Sequence, residues 1–361
     1  MNKRIVFITS SLSQPRVIKR IKSIKDAGFN VKVYGFNRNV YNCNTLPKEI
    51  DVINLGSFED GKGYFKKFRQ FKSKIKSIIK IEGHENVIYY SFAMAPSFFL
   101  MLNSVEYIYE ISDLFYGYPK FDFIRPYLKI LDRRIVKRSR FSVMTSAGFN
   151  NYLFGNSPQN NIVIQPNKLN NYFKIQDRPS QTTPDINHLR FGFVGAIRYR
   201  NTILRFAKII GEYFPQHEFH FYGDSKIAES FQEETKAFSN IYFHGAFRNP
   251  DDLSTIYNTI DIVVACYETG SLNEQIAEPN KLFEAVYFLK PIIVSKNSFL
   301  EKRVSELNCG FAINGYSKDE IIELINLLSG ERIKDIIQRE KQIKKEYLID
   351  NPSPIIERLL K

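Results

Sequence analysis

The sequence predicts an α/β protein with two Rossmann-like domains, each a parallel sheet covered by helices, facing one another across a cleft. Three observations carry this. Short apolar runs alternate with amphipathic segments of helical spacing along nearly the whole chain, the signature of βαβ units. The alternation runs twice in the same order, on either side of the polar stretch Lys174 to Asn187, which holds two prolines and no periodicity and reads as a linker. The chain has 361 residues, a comfortable length for two ordinary domains.

The first domain is expected over residues 1–170. Ile5 to Thr9 is a buried-strand run. A polar loop, Ser10 to Gln14, follows. Pro15 then stands where a helix begins, and Val17, Ile18, Ile21 and Ile24 recur at helical spacing up to Gly28. Strands follow at Val31 to Gly35, Val87 to Tyr90, Tyr107 to Ile111, Phe141 to Thr145 and Ile162 to Ile164. Residues 171–189 are the expected linker. The second domain, 190–335, has strands at Arg190 to Val194, Glu218 to Tyr222, Ile241 to His244, Asp261 to Cys266 and Pro291 to Ser295. Its helices are expected near 202–214, 226–237, 252–258, 280–288, 299–307 and 318–328. Residues 336–361 complete two closing helices, at 331–347 and 352–360. Open α/β sheets bind ligands outside the carboxyl ends of their strands, so the cleft is the expected site.

Composition narrows the class. Hydrophobic residues make up 43% and charged residues 25%, as in soluble globular proteins. The net charge of +13 calls for an anionic partner: nucleic acid, acidic lipid or a phosphorylated small molecule. Cys43, Cys266 and Cys309 form no CxxC pair and no complete disulfide framework. Cys266 and Cys309 read as core thiols in a reducing cytoplasm. The N-terminal apolar run is too short for a signal peptide. No stretch approaches the ~18 apolar residues that span a bilayer. The expectation is a cytoplasmic protein, soluble or peripheral on the inner face of the plasma membrane. The five histidines (84, 188, 217, 220, 244) show no metal spacing.

Two segments carry chemistry. Glu278-Pro279-Asn280-Lys281-Leu282-Phe283-Glu284 reads as a loop leading into a helix. Asn280 is a good N-cap type. The unpaired N–H groups of a helix start suit a diphosphate, and Lys281 adds a full charge. Glu284, one turn on, shares a face with Asn280 and Lys281, and its carboxylate can accept two hydrogen bonds from a ribose diol. The bland alternative is a solvated helix face. Gly195-Ala196-Ile197-Arg198-Tyr199-Arg200 is a glycine turn with two arginines, the residue type that clamps phosphate oxygens; the alternative is a merely basic loop. There is no GxGxxG, so a nicotinamide or flavin site has no support.

From Arg190 to about Gly310 the chain resembles the C-terminal domain of GT-B glycosyltransferases, near glycosyltransferase family 4. The matching runs, in order, are RFGFVGAIRYR, FHFYG, NIYFHGAFRNPDDLSTIYNTIDIVVACY and EPNKLFEAVYFLKPIIV. The N-terminal half is similar more loosely, through Pro15-Arg16-Val17, YEISDL, SVMTSAGFNNYL and Ile164-Gln165-Pro166-Asn167. The resemblance implies a nucleotide-diphosphate sugar donor, UDP- or GDP-linked, held mainly by the second domain. Glu284 would take the ribose hydroxyls. Asn280, Lys281, Leu282 and Arg198 or Arg200 would line the diphosphate, with Arg198 and Lys281 stabilising the leaving group. Gly195 would form the turn beneath it, and the loops at Gly223 and Phe247 would flank the base. It further implies retention of configuration, no metal and no cofactor. One departure stands out. The family's E-x7-E pattern counts back from Glu284 to Ile276, with Glu274 and Glu278 off register; Glu278 is the expected stand-in.

The first domain would then bind the acceptor, a saccharide or a polyprenyl-diphosphate-linked sugar of bacterial surface or capsular polysaccharide synthesis. Glu110 and Asp113, just past a strand end, are candidates to orient its hydroxyl or take its proton; Asp113 is otherwise a helix cap. Gly63 to Lys80 is a basic amphipathic helix that suits an anionic membrane surface, unless its apolar stripe packs on the sheet. Arg125 to Arg140 is a second basic helix. The rival functions are a GT-B-type sugar-nucleotide epimerase, with no separate acceptor site, and a nucleic-acid-binding protein, for which no motif exists.

Overall fold

In the computed structural model, residues 3–37, 46–57, 64–155, 157, 159–180 and 183–361 are described. The chain forms two compact units, Met1–Asn167 with Asn351–Lys361, and Lys168–Asp350. The stretch expected as a linker is thus part of the second unit, where Phe173 is buried against Tyr287 and Phe288. Residues 336–350 also stay with the second unit, whereas the last eleven residues return to the first.

In chain order the first unit runs β1 (Arg4–Thr9), α1 (Pro15–Asp26), β2 (Val31–Asn37), β3 (Asp51–Ser57), α2 (Tyr64–Glu82) and β4 (Val87–Phe92). It continues with α3 (Met94–Leu102), β5 (Tyr107–Ile111), α4 (Arg125–Arg138), β6 (Phe141–Met144), α5 (Ala147–Phe154) and β7 (Ile162–Ile164). The seven strands lie in the order β3-β2-β1-β4-β5-β6-β7, and every pairing is parallel. Central β1 has no exposed apolar residue (Ile5, Val6, Phe7 and Ile8 are all at 0%), because helices cover both faces of a parallel sheet. Pro15 opens α1, and Val17, Ile21 and Ile24 are its buried face. Edge strand β3 is largely exposed, so it lacks the apolar run that marks the others and escaped the sequence reading. Cys43 and Gly63 lie outside the described residues.

The second unit runs β8 (Arg190–Val194), α6 (Arg205–Tyr213), β9 (Glu218–Tyr222), α7 (Ala228–Thr235), β10 (Ile241–Phe243), α8 (Leu253–Thr259) and β11 (Ile262–Ala265). Then come α9 (Leu272–Ile276), α10 (Lys281–Tyr287), β12 (Ile292–Ser295), α11 (Phe299–Leu307), β13 (Gly310–Ile313), α12 (Lys318–Leu327), α13 (Gly330–Gln342) and α14 (Lys345–Leu348). The strand order is β10-β9-β8-β11-β12-β13, the doubly wound Rossmann arrangement with its switch point between β8 and β11. Alternate residues feed two cores: Phe191, Phe193, Ile262 and Val264 pack on one face, Val194, Val263 and Ala265 on the other. Short α9 and β13 were not anticipated. Cys266 and Cys309 are free, fully buried thiols, and burial pushes both well above the usual thiol range.

The chain closes with α15 (Ser353–Leu360), whose Ile355 and Leu359 join the core of the first unit. Among the described residues no helix is long and apolar enough to cross a membrane.

Candidate active site

The site of the second unit starts from its strand ends. β8 leads to Gly195 (φ +137) and β9 to Gly223 (φ +138), a backbone region open to glycine and costly for other residues. A Cβ on Gly223 would stand 1.8 Å from the Gly195 carbonyl oxygen, so glycine is needed there twice over. The Gly195 N–H donates to the Tyr222 carbonyl at 2.7 Å, and the Gly223 N–H to that of Gly245 at 2.8 Å. The ends of β8, β9 and β10 are thereby laced together beside the switch point.

Beyond Gly195 the chain enters an αL residue, Tyr199 (φ +69), and a wide π-type turn, Arg200–Leu204, that feeds α6. The Tyr199 ring stacks on Tyr267, just past β11, at 4.8 Å. The two arginines separate here. Arg200 turns onto α7, where it pairs with Glu234, donates to Ser230 at 2.7 Å and lies over the Phe231 ring at 5.2 Å. Arg198 is exposed and makes no hydrogen bond or ion pair among the described residues.

All seven residues of α10 are buried. Glu284, 2% exposed, gathers three donors: Asn280 Nδ2 at 2.5 Å to Oε1, with Lys281 Nζ at 2.6 Å and the Tyr257 hydroxyl at 2.7 Å to Oε2. The expected face of Asn280, Lys281 and Glu284 exists, but it is a closed cluster rather than a solvated one. Asn280 does not cap: its backbone is already helical and its side chain makes no cap bond, because the amide is given to Glu284. A Cβ on Gly195 would meet Lys281 Cε at 3.4 Å, so the lysine lies against the glycine turn. Leu282, expected at the donor, is fully buried in the core; its side chain packs the helix down. Phe247, in the loop after β10, is half-buried against the same core.

A hollow opens at the carboxyl ends of β11 and β12. It is lined by Ala265, Tyr267, Thr269, Glu274, Ala277, Pro279, Ser295, Ser298 and Leu300. Glu278 is not among them. Its carboxylate is buried and held by Arg303 Nε at 2.8 Å; burial raises its pKa while Arg303 and Lys168 pull it back. The glutamate that lines the hollow is Glu274, on α9. Tyr257, Tyr267, Glu274 and Arg303 were not singled out from sequence. Only the Tyr within the run STIYNTID and the off-register glutamate hinted at two of them.

In the first unit, Glu110 lies inside β5, not past its end, and is 1% exposed. It accepts from Arg20 Nε at 3.0 Å and from the Tyr90 hydroxyl, with Arg16 at 3.6 Å. It is therefore the centre of a buried ion cluster. Asp113 is exposed in the loop two residues beyond β5. The N-cap position of the following 3-10 turn is Leu114, not Asp113. On α2, Phe71, Ile75, Ile78 and Ile79 are buried while Lys72, Lys74, Lys76 and Lys80 are solvated. From Phe71 onward the apolar stripe expected to meet a membrane is used inside the unit, while Phe68 is 40% exposed.

Two parallel Rossmann-type sheets, the second with a glycine-lined strand-end site, give the chain the architecture of the GT-B fold. Residues 188–330, within the second unit, match the family described as "Glycosyl transferases group 1". The chain is 22% identical over 358 residues to the succinoglycan biosynthesis protein ExoL of Rhizobium meliloti (strain 1021), covering 93% of this chain and 87% of that one. Among solved structures it resembles Anabaena HepE in complex with UDP and glucose (TM-score 0.67, 14% identity, 99% of this chain and 100% of that chain). It is also similar to the sucrose-phosphate synthase of Thermosynechococcus elongatus (TM-score 0.73, 13% identity, 99% and 97%).

Proposed function

We propose that this chain is a glycosyltransferase that takes its sugar from a nucleotide diphosphate, a UDP- or GDP-sugar, and passes it to a saccharide or polyprenyl-diphosphate-linked acceptor in bacterial surface polysaccharide synthesis. The observation that carries the reading is the Lys281–Glu284 cluster seated against the Gly195 turn, with the unengaged Arg198 on the same loop. A diphosphate arriving there meets Arg198 and Lys281, and a ribose diol can replace Asn280 and Lys281 as partners of Glu284. As the glycosidic bond breaks, negative charge grows on the leaving diphosphate, and the two cations stabilise it where it forms. The sugar would occupy the hollow beside Thr269, Glu274 and Pro279. Retention of configuration belongs to the same reading, as does work at the inner face of the membrane. HepE, a fold neighbour, was solved with UDP and glucose, and ExoL is a protein of succinoglycan biosynthesis; both support the choice of donor and pathway class.

The test is release of free nucleoside diphosphate from a panel of UDP- and GDP-sugars, with and without a lipid-linked saccharide acceptor. Acceptor-dependent release is expected, and it should persist in a chelator because Arg198 and Lys281 supply the charge. Conversion of the donor to its epimer without release would overturn the reading.

A further inference from the structure

The inner face of α4 is buried through Asp132, Ile135 and Val136, but its outer face has no cover. Tyr127 is 72% exposed and Ile130 63%; with Arg134 they recur at helical spacing along one stripe. Immediately before the helix, Phe123 is 91% exposed and Ile124 42%. Single exposed apolar residues need no explanation, whereas a contiguous set rimmed by charge marks an interaction surface.

The rim is cationic. Residues 118–140 carry eight Lys and Arg against two Asp. Neither aspartate offsets the exposed charge. Asp132 is buried and bonded to the Tyr116 hydroxyl at 2.7 Å, and Asp122 is paired with Arg125. Arg134, Lys137 and Arg138 are exposed and make no ion pair among the described residues.

We propose that this face docks the first unit onto an anionic lipid bilayer. Phe123, Tyr127 and Ile130 enter the boundary between headgroups and acyl chains, and Arg134, Lys137 and Arg138 meet the lipid phosphates. A bilayer uses both halves of the surface, whereas a nucleic-acid backbone would engage the cations and leave three large apolar side chains in water. This places membrane contact on α4 rather than on α2. It rests on exposure and charge alone, independent of the donor and acceptor proposed above.

The chain contains no Trp, so Tyr127→Trp installs a single indole reporter in the full-length enzyme. Ile81→Trp, on the 69% exposed outer side of α2, is its control. With phosphatidylglycerol-containing vesicles the emission of Tyr127→Trp shifts to shorter wavelength, while phosphatidylcholine alone leaves it unchanged and Ile81→Trp does not move. In flotation, wild type rises with the anionic vesicles. The variant combining Phe123→Ser, Tyr127→Ser and Ile130→Ser stays in the load at unchanged melting temperature. Each of Arg134→Gln, Lys137→Gln and Arg138→Gln lowers partitioning about fivefold. The proposal is overturned if wild type does not float, if the serine variant floats as well as wild type, or if position 81 responds in place of 127. Retention on duplex DNA without vesicle binding also overturns it and assigns the cations to nucleic acid.

Discussion

At the residue scale, the two arginines of the Gly195 loop look equivalent in sequence and separate in structure. Arg200 is spent on Glu234, Ser230 and Phe231, while Arg198 has no hydrogen bond or ion pair among the described residues. Arg198→Ala should therefore lower kcat by about 10²–10³-fold, and Arg200→Ala should stay within a few-fold of wild type. Equal losses in both would refute this division of roles. A second expectation concerns Asp132, whose carboxyl is pushed up to about 6 by burial, against the lowering pull of Tyr116 and Tyr109. Between its ordinary 3.8 and about 6, the folded form keeps a proton that the unfolded chain has released. This contribution is thus full at low pH and lost as pH rises through that window. Relative to Asp132→Asn, wild type should lose up to about 3 kcal/mol between about pH 4 and about pH 7, read by denaturant melts. The sequence could name Glu284 and Lys281, because their spacing puts them on one helix face. It could not show that Asn280 donates to Glu284 instead of capping, which turns on the helical backbone Asn280 adopts, or that Glu278 is taken by Arg303, which comes from another helix.

At the scale of elements, apolar periodicity located most strands and helices because parallel strands buried on both faces read as continuous runs. It failed where burial is incomplete, as in β3, or where the element spans one turn, as in α9. Periodicity also could not tell which basic helix hides its stripe. α2 has the clearer pattern and packs it away beyond Phe68, whereas α4 displays Phe123, Tyr127 and Ile130. The glycine-ended strands make a sharper claim. Gly223→Ala puts a methyl against the Gly195 carbonyl at a positive φ. It should cost about 2 kcal/mol and lower the melting temperature by about 4–8 °C, with loss of donor-induced stabilisation. A variant that melts and binds donor like wild type would show that the turn is not built as described.

At the scale of the whole molecule, the duplicated βαβ order made two sheets legible, but not the path of the chain between units. Sequence places the final helix with the segment before it. The structure sends α15 back to the first unit, because the Ile355 and Leu359 side chains complete that core. Deleting residues 351–361 should thus destabilise the first unit by about 3–6 kcal/mol while sparing donor binding by the second, a split that calorimetry in the presence and absence of donor would resolve. The donor grip itself is the central claim, and calorimetric titration of UDP and GDP into wild type, Glu284→Gln and Arg200→Ala tests it most directly. Wild type and Arg200→Ala should bind one of the two nucleotides with similar affinity, and Glu284→Gln should bind it at least about tenfold more weakly. No binding by wild type, or undiminished binding by Glu284→Gln, would contradict the account.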